Sequence, residues 1–237
     1  MKISIIILFL FREVFANQNI TCGISAKFNP NSKVQNHGDF PWMAALILNK
    51  SNDGTQSYLC GGVLISDSRV LTAAHCIHNT KQFLFARDIL IAFGGHDINK
   101  MFEINRIVEA PKTIYIHHHW LPFNQNYDAD IALIVLKNKI HFNDFIQPIC
   151  IWNSNDVIPA TSGFIVGFGK NGYDQNDDGN TRVPKRIQIF IHRNEECIAK
   201  ERRKNNFSTH KSYLNKFKQR LKRFTTSHYH CGSSHNN

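Results

Sequence analysis

Leu71-Thr72-Ala73-Ala74-His75-Cys76 is the stretch from which the rest of this chain is best read. A β-branched, apolar run leads into two alanines and then into a histidine beside a cysteine. A histidine so placed can sit at the end of a barrel strand, and a disulfide at its neighbour would fix it. Upstream lies Cys60-Gly61-Gly62-Val63-Leu64-Ile65, and a bridge from Cys60 to Cys76 would close a hairpin and hold His75. A lone histidine is otherwise an ordinary core or surface residue, so its surroundings decide its meaning.

Those surroundings read as strands. Phe40 to Leu48, Tyr58 to Ile65, Val70 to Ala74, Ile89 to Gly94, Ile104 to Ala110 and Ile131 to Leu136 are short apolar runs, several rich in Val, Ile and Phe. Asn, Asp, Gly or Ser bound them, which is the strand signature. A second set follows at Gly163 to Phe168 and Ile187 to His192. No sustained helical period occurs in this region. Many short strands with turn signals between them predict an all-β fold, an antiparallel barrel or sandwich.

The ends of the chain differ from its body. Lys2, the apolar run Ile3 to Phe11 and Val14-Phe15-Ala16 have the order of a secretory signal, with cleavage after Ala16. The run is too short to span a bilayer. Residues 1–16 are thus predicted as a signal peptide and 17–33 as a polar pre-domain segment. Secretion makes the six cysteines, Cys22, Cys60, Cys76, Cys150, Cys197 and Cys231, readable as disulfides, with the pairing left open. Sequons at Asn19, Asn49 and Asn206 agree with that route. Of the net charge of +10, the stretch from Lys200 onward carries +9, with ten Lys or Arg against Glu201. The body is nearly neutral, which gives no electrostatic reason for nucleic-acid binding. After Cys197 strand alternation disappears, and residues 200–237 read as a basic, divergent tail. Leu214, Phe217, Leu221 and Phe224 recur among Lys and Arg at amphipathic helical spacing, a pattern suited to a membrane or glycosaminoglycan surface.

The histidine stretch closely resembles the histidine motif of the trypsin-like (chymotrypsin-fold) serine protease family. Four more segments match that family in order. Gly38-Asp39-Phe40-Pro41-Trp42-Met43 resembles the opening of its first barrel, and Asp130-Ile131-Ala132-Leu133-Ile134 its aspartate motif. Gln147-Pro148-Ile149-Cys150 resembles the inter-barrel cysteine segment. Gly163-Phe164-Ile165-Val166-Gly167-Phe168-Gly169 resembles the first strand of the second barrel, with Phe168 where Trp is usual. Glu196-Cys197 also falls where the family has a cysteine and a short helix. In style the segments are similar to arthropod secreted serine proteases and their non-catalytic homologues.

The resemblance implies a double antiparallel β-barrel, with the first barrel complete over about Val34 to Cys150, the second truncated, and a protease domain over 34–199. It implies His75 as general base and Asp130 as the buried carboxylate that orients it, with Asp128 a weaker candidate. It implies the disulfides Cys60–Cys76 and Cys22–Cys150, with Cys197–Cys231 as the third pair. Partners would be a protein substrate or a protease-cascade protein, and no cofactor is implied. The nucleophile is missing: Ser208, Ser212, Ser227, Ser233 and Ser234 all stand outside any Gly-Asp-Ser-Gly-Gly, and Cys231-Gly232 looks like a degraded form of the segment before it. Lys33-Val34 is a poor activation site, since Gln35-Asn36 follows in place of small residues.

Two metal readings fail on sequence. Asp174-Gln175-Asn176-Asp177-Asp178-Gly179 opens like a calcium loop, but Lys185 stands where a bidentate Glu is needed. On a strand, His117, His118 and His119 would alternate faces, so at most two could share an ion. No metal site is predicted.

Overall fold

The computed structural model describes residues 21–29, 36–49, 56–100, 102–123, 129–151, 162–168, 183–192 and 231–234. The expected signal peptide, Asn19, Lys33-Val34, Asp128, the acidic stretch at 174–179, Cys197, Asn206, the helical spacing read at 214–224 and Ser208, Ser212 and Ser227 lie outside the described residues. The chain divides into two units at Cys150.

In the first unit the strands are β1 (Met43–Asn49), β2 (Gln56–Ser66), β3 (Arg69–Thr72), β4 (Ile89–Phe93), β5 (Ile107–Glu109), β6 (Pro111–Ile116) and β7 (Ala132–Leu136). They form one sheet in the order β5-β4-β1-β2-β3-β7-β6, antiparallel at every pairing. The two outer strands, β5 and β6, are separated in sequence only by Ala110. One continuous run of chain therefore supplies both edges, and the sheet must curl to allow it. Irregular register at Leu46/Ile47, Leu64/Ser66 and Pro111/Thr113 gives local bends that raise the twist needed for curling. Among the described residues the fold is all-β and chymotrypsin-like, with almost no helix.

Alternation along the strands fills the interior. In β7, Ala132, Ile134 and Leu136 are buried while Leu133 and Val135 are only partly so. In β3, Val70 and Thr72 point inward. Leu46, Leu64, Ile89, Ile91, Phe93 and Ile146 are among the other members of the core. Gly94, at the end of β4, has φ +65, and a Cβ there would collide with the Asn105 carbonyl. Cys22 is bonded to Cys150, and Gly23 N–H donates to the Pro148 carbonyl at 2.8 Å. Gln147 N–H reaches Pro41 O at 3.0 Å and Ile149 N–H reaches Leu64 O at 2.9 Å. The segment leading out of this unit is thus stitched to the one that opens it.

Three local expectations need correction. The strand foreseen over Val70 to Ala74 stops at Thr72, because Ala74 already starts a one-turn helix, α1 (Ala74–Ile77). The strand foreseen from Ile104 begins only at Ile107. A turn precedes it, with Arg106 N–H on Glu103 O and the buried Arg106 guanidinium on the carbonyls of Asp97 and Lys100. Strand β6 has no counterpart among the runs read from sequence, since Pro111 and Lys112 open it. Proline is tolerated at a strand's first residue, where its missing N–H costs least.

The second unit, described by itself, has β8 (Ser162–Gly167), β9 (Lys185–His192) and β10 (Cys231–Ser234) in the order β10-β9-β8. Strand structure therefore returns after Cys197: Cys231 pairs with His192 and Ser234 with Ile189. Four short or small residues carry too little alternation to be read as a strand.

Candidate active site

His75 is the second residue of α1. Thr72, last in β3, donates its hydroxyl to the Gly61 carbonyl at 2.8 Å, which keeps strand and hairpin together up to the helix. The buried face of α1 is Ala74, Cys76 and Ile77, so His75 is turned the other way and is half exposed. The Cys60–Cys76 bridge ties this helix to β2. A closed loop of this size is worth about 3 kcal/mol in the chain-entropy account. Its sulfur lies 3.6 Å from His75 Nε2. Cys60, His75 and Cys76 bring three ligand-type atoms close together. The two sulfurs are bonded to each other, so they are not the thiolates a metal would need.

Asp130 approaches from the segment before β7. Ala129 has φ 58, in the left-handed region, and Ile131 N–H donates to Ala129 O at 2.8 Å. Asp130 thus stands at the apex of a three-residue turn rather than on a strand. Its two oxygens both engage His75. Oδ2 is 2.7 Å from Nδ1, and Oδ1 accepts the backbone N–H of His75 at 2.8 Å. That amide belongs to the first turn of α1, where amides lack helical acceptors. One carboxylate therefore satisfies the helix start and orients the ring. The Asp130 side chain is 17% exposed against 46% for His75, so the acid is the more sheltered partner. Asn79 adds a bond from Nδ2 to His75 O at 3.2 Å.

His117, His118 and His119 lie in a turn beyond the end of β6, not on a strand as the alternation argument assumed. Their rings pack on one another, His117 on His118 at 4.7 Å and His118 on His119 at 4.0 Å. His119 N–H donates to His117 Nδ1. Burial, and then the neighbouring imidazoles, hold His117 below the usual histidine range. No sequence signal marks Ala129. Trp120, whose indole N–H reaches His78 O, follows directly on the histidine triplet and belongs to none of the motifs read from sequence.

A protein-family model described as Trypsin matches residues 30–217. The chain belongs to the trypsin family. Two insect members show the same likeness. "Serine protease gd" of Drosophila melanogaster is 28% identical over 176 residues, covering 68% of this chain and 33% of that protein. "Phenoloxidase-activating enzyme 1" of Spodoptera litura is 29% identical over 174 residues, covering 69% of this chain and 45% of that protein. The chain thus spans less than half the length of either relative, and the trypsin-family match extends past residue 199, into the basic stretch.

Proposed function

We propose that this is a secreted protein of the serine-endopeptidase type in which His75 is the general base and Asp130 its orienting acid. The carrying observation is the 2.7 Å contact between His75 Nδ1 and Asp130 Oδ2. A proton held on Nδ1 by a carboxylate leaves Nε2 as the basic nitrogen, and the acid stabilises the imidazolium that forms. Two disulfides and the apolar run Ile3 to Phe11 support secretion, with residues 1–16 as the signal, 17–33 as a pre-domain segment, 34–199 as the protease domain and 200–237 as a basic extension. Asn19, Asn49 and Asn206 are its proposed glycosylation positions, Asn49 at the end of β1. The Spodoptera relative is named for activating a phenoloxidase. What carries over is the class: a protein substrate or a protease-cascade partner.

The same reading holds that these 237 residues by themselves cleave no peptide bond. His75 and Asp130 can serve as base and orienting acid, but neither attacks an acyl carbon in the way of the family's serine. A hydroxyl must lie within hydrogen-bond reach of the imidazole, and oxyanion donors must face the same carbon. No serine here stands in Gly-Asp-Ser-Gly-Gly. A fluorophosphonate probe, applied before and after mild trypsin nicking, should leave the purified chain unlabelled, and Arg, Phe and Ala esters should survive. Stoichiometric labelling that vanishes in His75→Ala would overturn the inactive reading and keep the family chemistry.

A further inference from the structure

The contact between His75 and Asp130 is part of a closed circuit. The Trp120 indole Nε1–H donates to His78 O at 2.8 Å. His78 follows directly on α1, and its own N–H bonds to Ala74 O at 2.8 Å. From Trp120 the circuit continues through its backbone N–H to His117 O at 2.9 Å. His117 N–H then donates to Ile131 O at 3.1 Å, and Ile131 is the neighbour of Asp130. Asp130 returns to His75 through both carboxylate oxygens. The helix that carries the base and the turn that carries the acid are thus joined twice, directly at its start and through Trp120 at its end.

We propose that Trp120 is a positioning residue that holds the end of α1 against the Asp130 turn and so sets the His75–Asp130 contact. This rests on the reading of those two residues as base and orienting acid. Trp120 is 7% exposed, so its indole N–H has little access to water and needs a protein acceptor. A one-turn helix cannot hold its own axis by internal hydrogen bonds. It is fixed by what surrounds it: the core around buried Ala74 and Ile77, the Cys60–Cys76 bridge at mid-helix, Asp130 at the first turn, Leu84 N–H on Ile77 O and Asn79 on His75 O, and Trp120 just past the last residue. Among these, Trp120 is the hold that ties the His78 end to the Asp130 turn, so releasing it lets that end shift against the turn and loosens the Nδ1 contact without emptying the core.

The test uses the whole chain and removes the donor alone. Trp120→Phe keeps an aromatic ring, and replacement of Trp120 by its sulfur isostere benzothienylalanine keeps nearly the full shape. The readout is proton NMR of His75 Nδ1–H and its exchange with water. Exchange should quicken about fivefold in both variants, the equivalent of one lost neutral hydrogen bond. It should stay at the wild-type rate with 5-fluorotryptophan, which retains the N–H. Unchanged exchange in the two donor-free variants overturns the proposal. So does an equal quickening at the buried amides of β1 and β4, because Trp120 would then support the fold at large. Asp130→Asn separates the two readings: if the Nδ1 proton is as protected there as in wild type, the pair itself is misread and the latch falls with it.

Discussion

In the unit that ends at Cys150, the chain passes from β5 to β6 across a single residue, and that run serves both edges of a seven-stranded sheet. In the unit that begins at Ile151, β8, β9 and β10 form a three-stranded row. The consequence shows in burial. Phe93, Ile91 and Ile134 of the first unit are at or near zero exposure, whereas Ile165 and Ile187, paired across β8 and β9, are 58% and 41% exposed. Similar side chains on similar strands end up in different solvents because one sheet wraps around its own inner face. Curling of the sheet, more than strand composition, is what converts alternation into a core.

The largest test of that contrast lies in the curled sheet. Phe93→Ala in β4 should lower the free energy of unfolding by about 3–5 kcal/mol, since a buried aromatic is removed from a packed interior. Urea unfolding followed by tryptophan fluorescence measures it. A loss as small as that of a surface substitution would mean the inner face is not closed, and the distinction between the units would collapse.

A smaller effect should appear with pH, again in the first unit. Burial, followed by the charge of His37, holds His96 below its ordinary value of 6.5, and burial with neighbouring imidazoles does the same for His117. The folded state therefore favours the neutral rings, and the unfolded chain binds more protons. Stability from these groups is full above pH 6.5 and is lost as pH falls through that value towards the lowered folded pKa. Glu103, Asp97 and Asp39 oppose the shift at His96, so its share is partial. The melting temperature should fall between pH 7 and pH 5, by less than Phe93→Ala causes. His96→Gln and His117→Gln should each make the fall shallower. A steeper fall in either variant would show that the ring stabilises the fold in its charged form.

Much of the first unit was legible because its strands alternate and its motifs are local. Val70 to Thr72, Ile89 to Phe93 and Ala132 to Leu136 each carry their own signal. What escaped depends on contacts distant in sequence. The helical turn is held at His75 by Asp130, 55 residues later, and no window around His75 contains that acid. Strand β6 follows a proline and gains its place from pairing with β7. His75 and Asp130 could be named from the motifs, but the double use of the carboxylate could not. It depends on Ala129 adopting a left-handed backbone, which nothing in its side chain announces. Trp120 was hidden for a similar reason, since its partner, His78, is 42 residues earlier.

The smallest expected effect lies in the three-stranded row. Ile165 faces Ile187 directly, and Ile189 shares that face of the sheet. The other face carries Phe164, with the Arg186 guanidinium 5.2 Å from its ring. Replacing the exposed pair by Ile165→Lys and Ile187→Glu puts opposite charges across a register pair, which contributes roughly 0.2–1 kcal/mol. The change removes apolar surface that is already largely in water, so little hydrophobic stabilisation is lost. Stability should shift by no more than about 0.5 kcal/mol, as for other surface substitutions. Static light scattering should fall at the same time, because contiguous exposed apolar side chains promote self-association. The two measurements break the comparison in different ways. A loss approaching that of Phe93→Ala would mean that Ile165 and Ile187 are covered in solution and that this sheet, too, has an inner face. Unchanged scattering with unchanged stability would mean that the pair is exposed but is not what makes the chain associate, and Phe164, 37% exposed on the opposite face, becomes the next residue to replace.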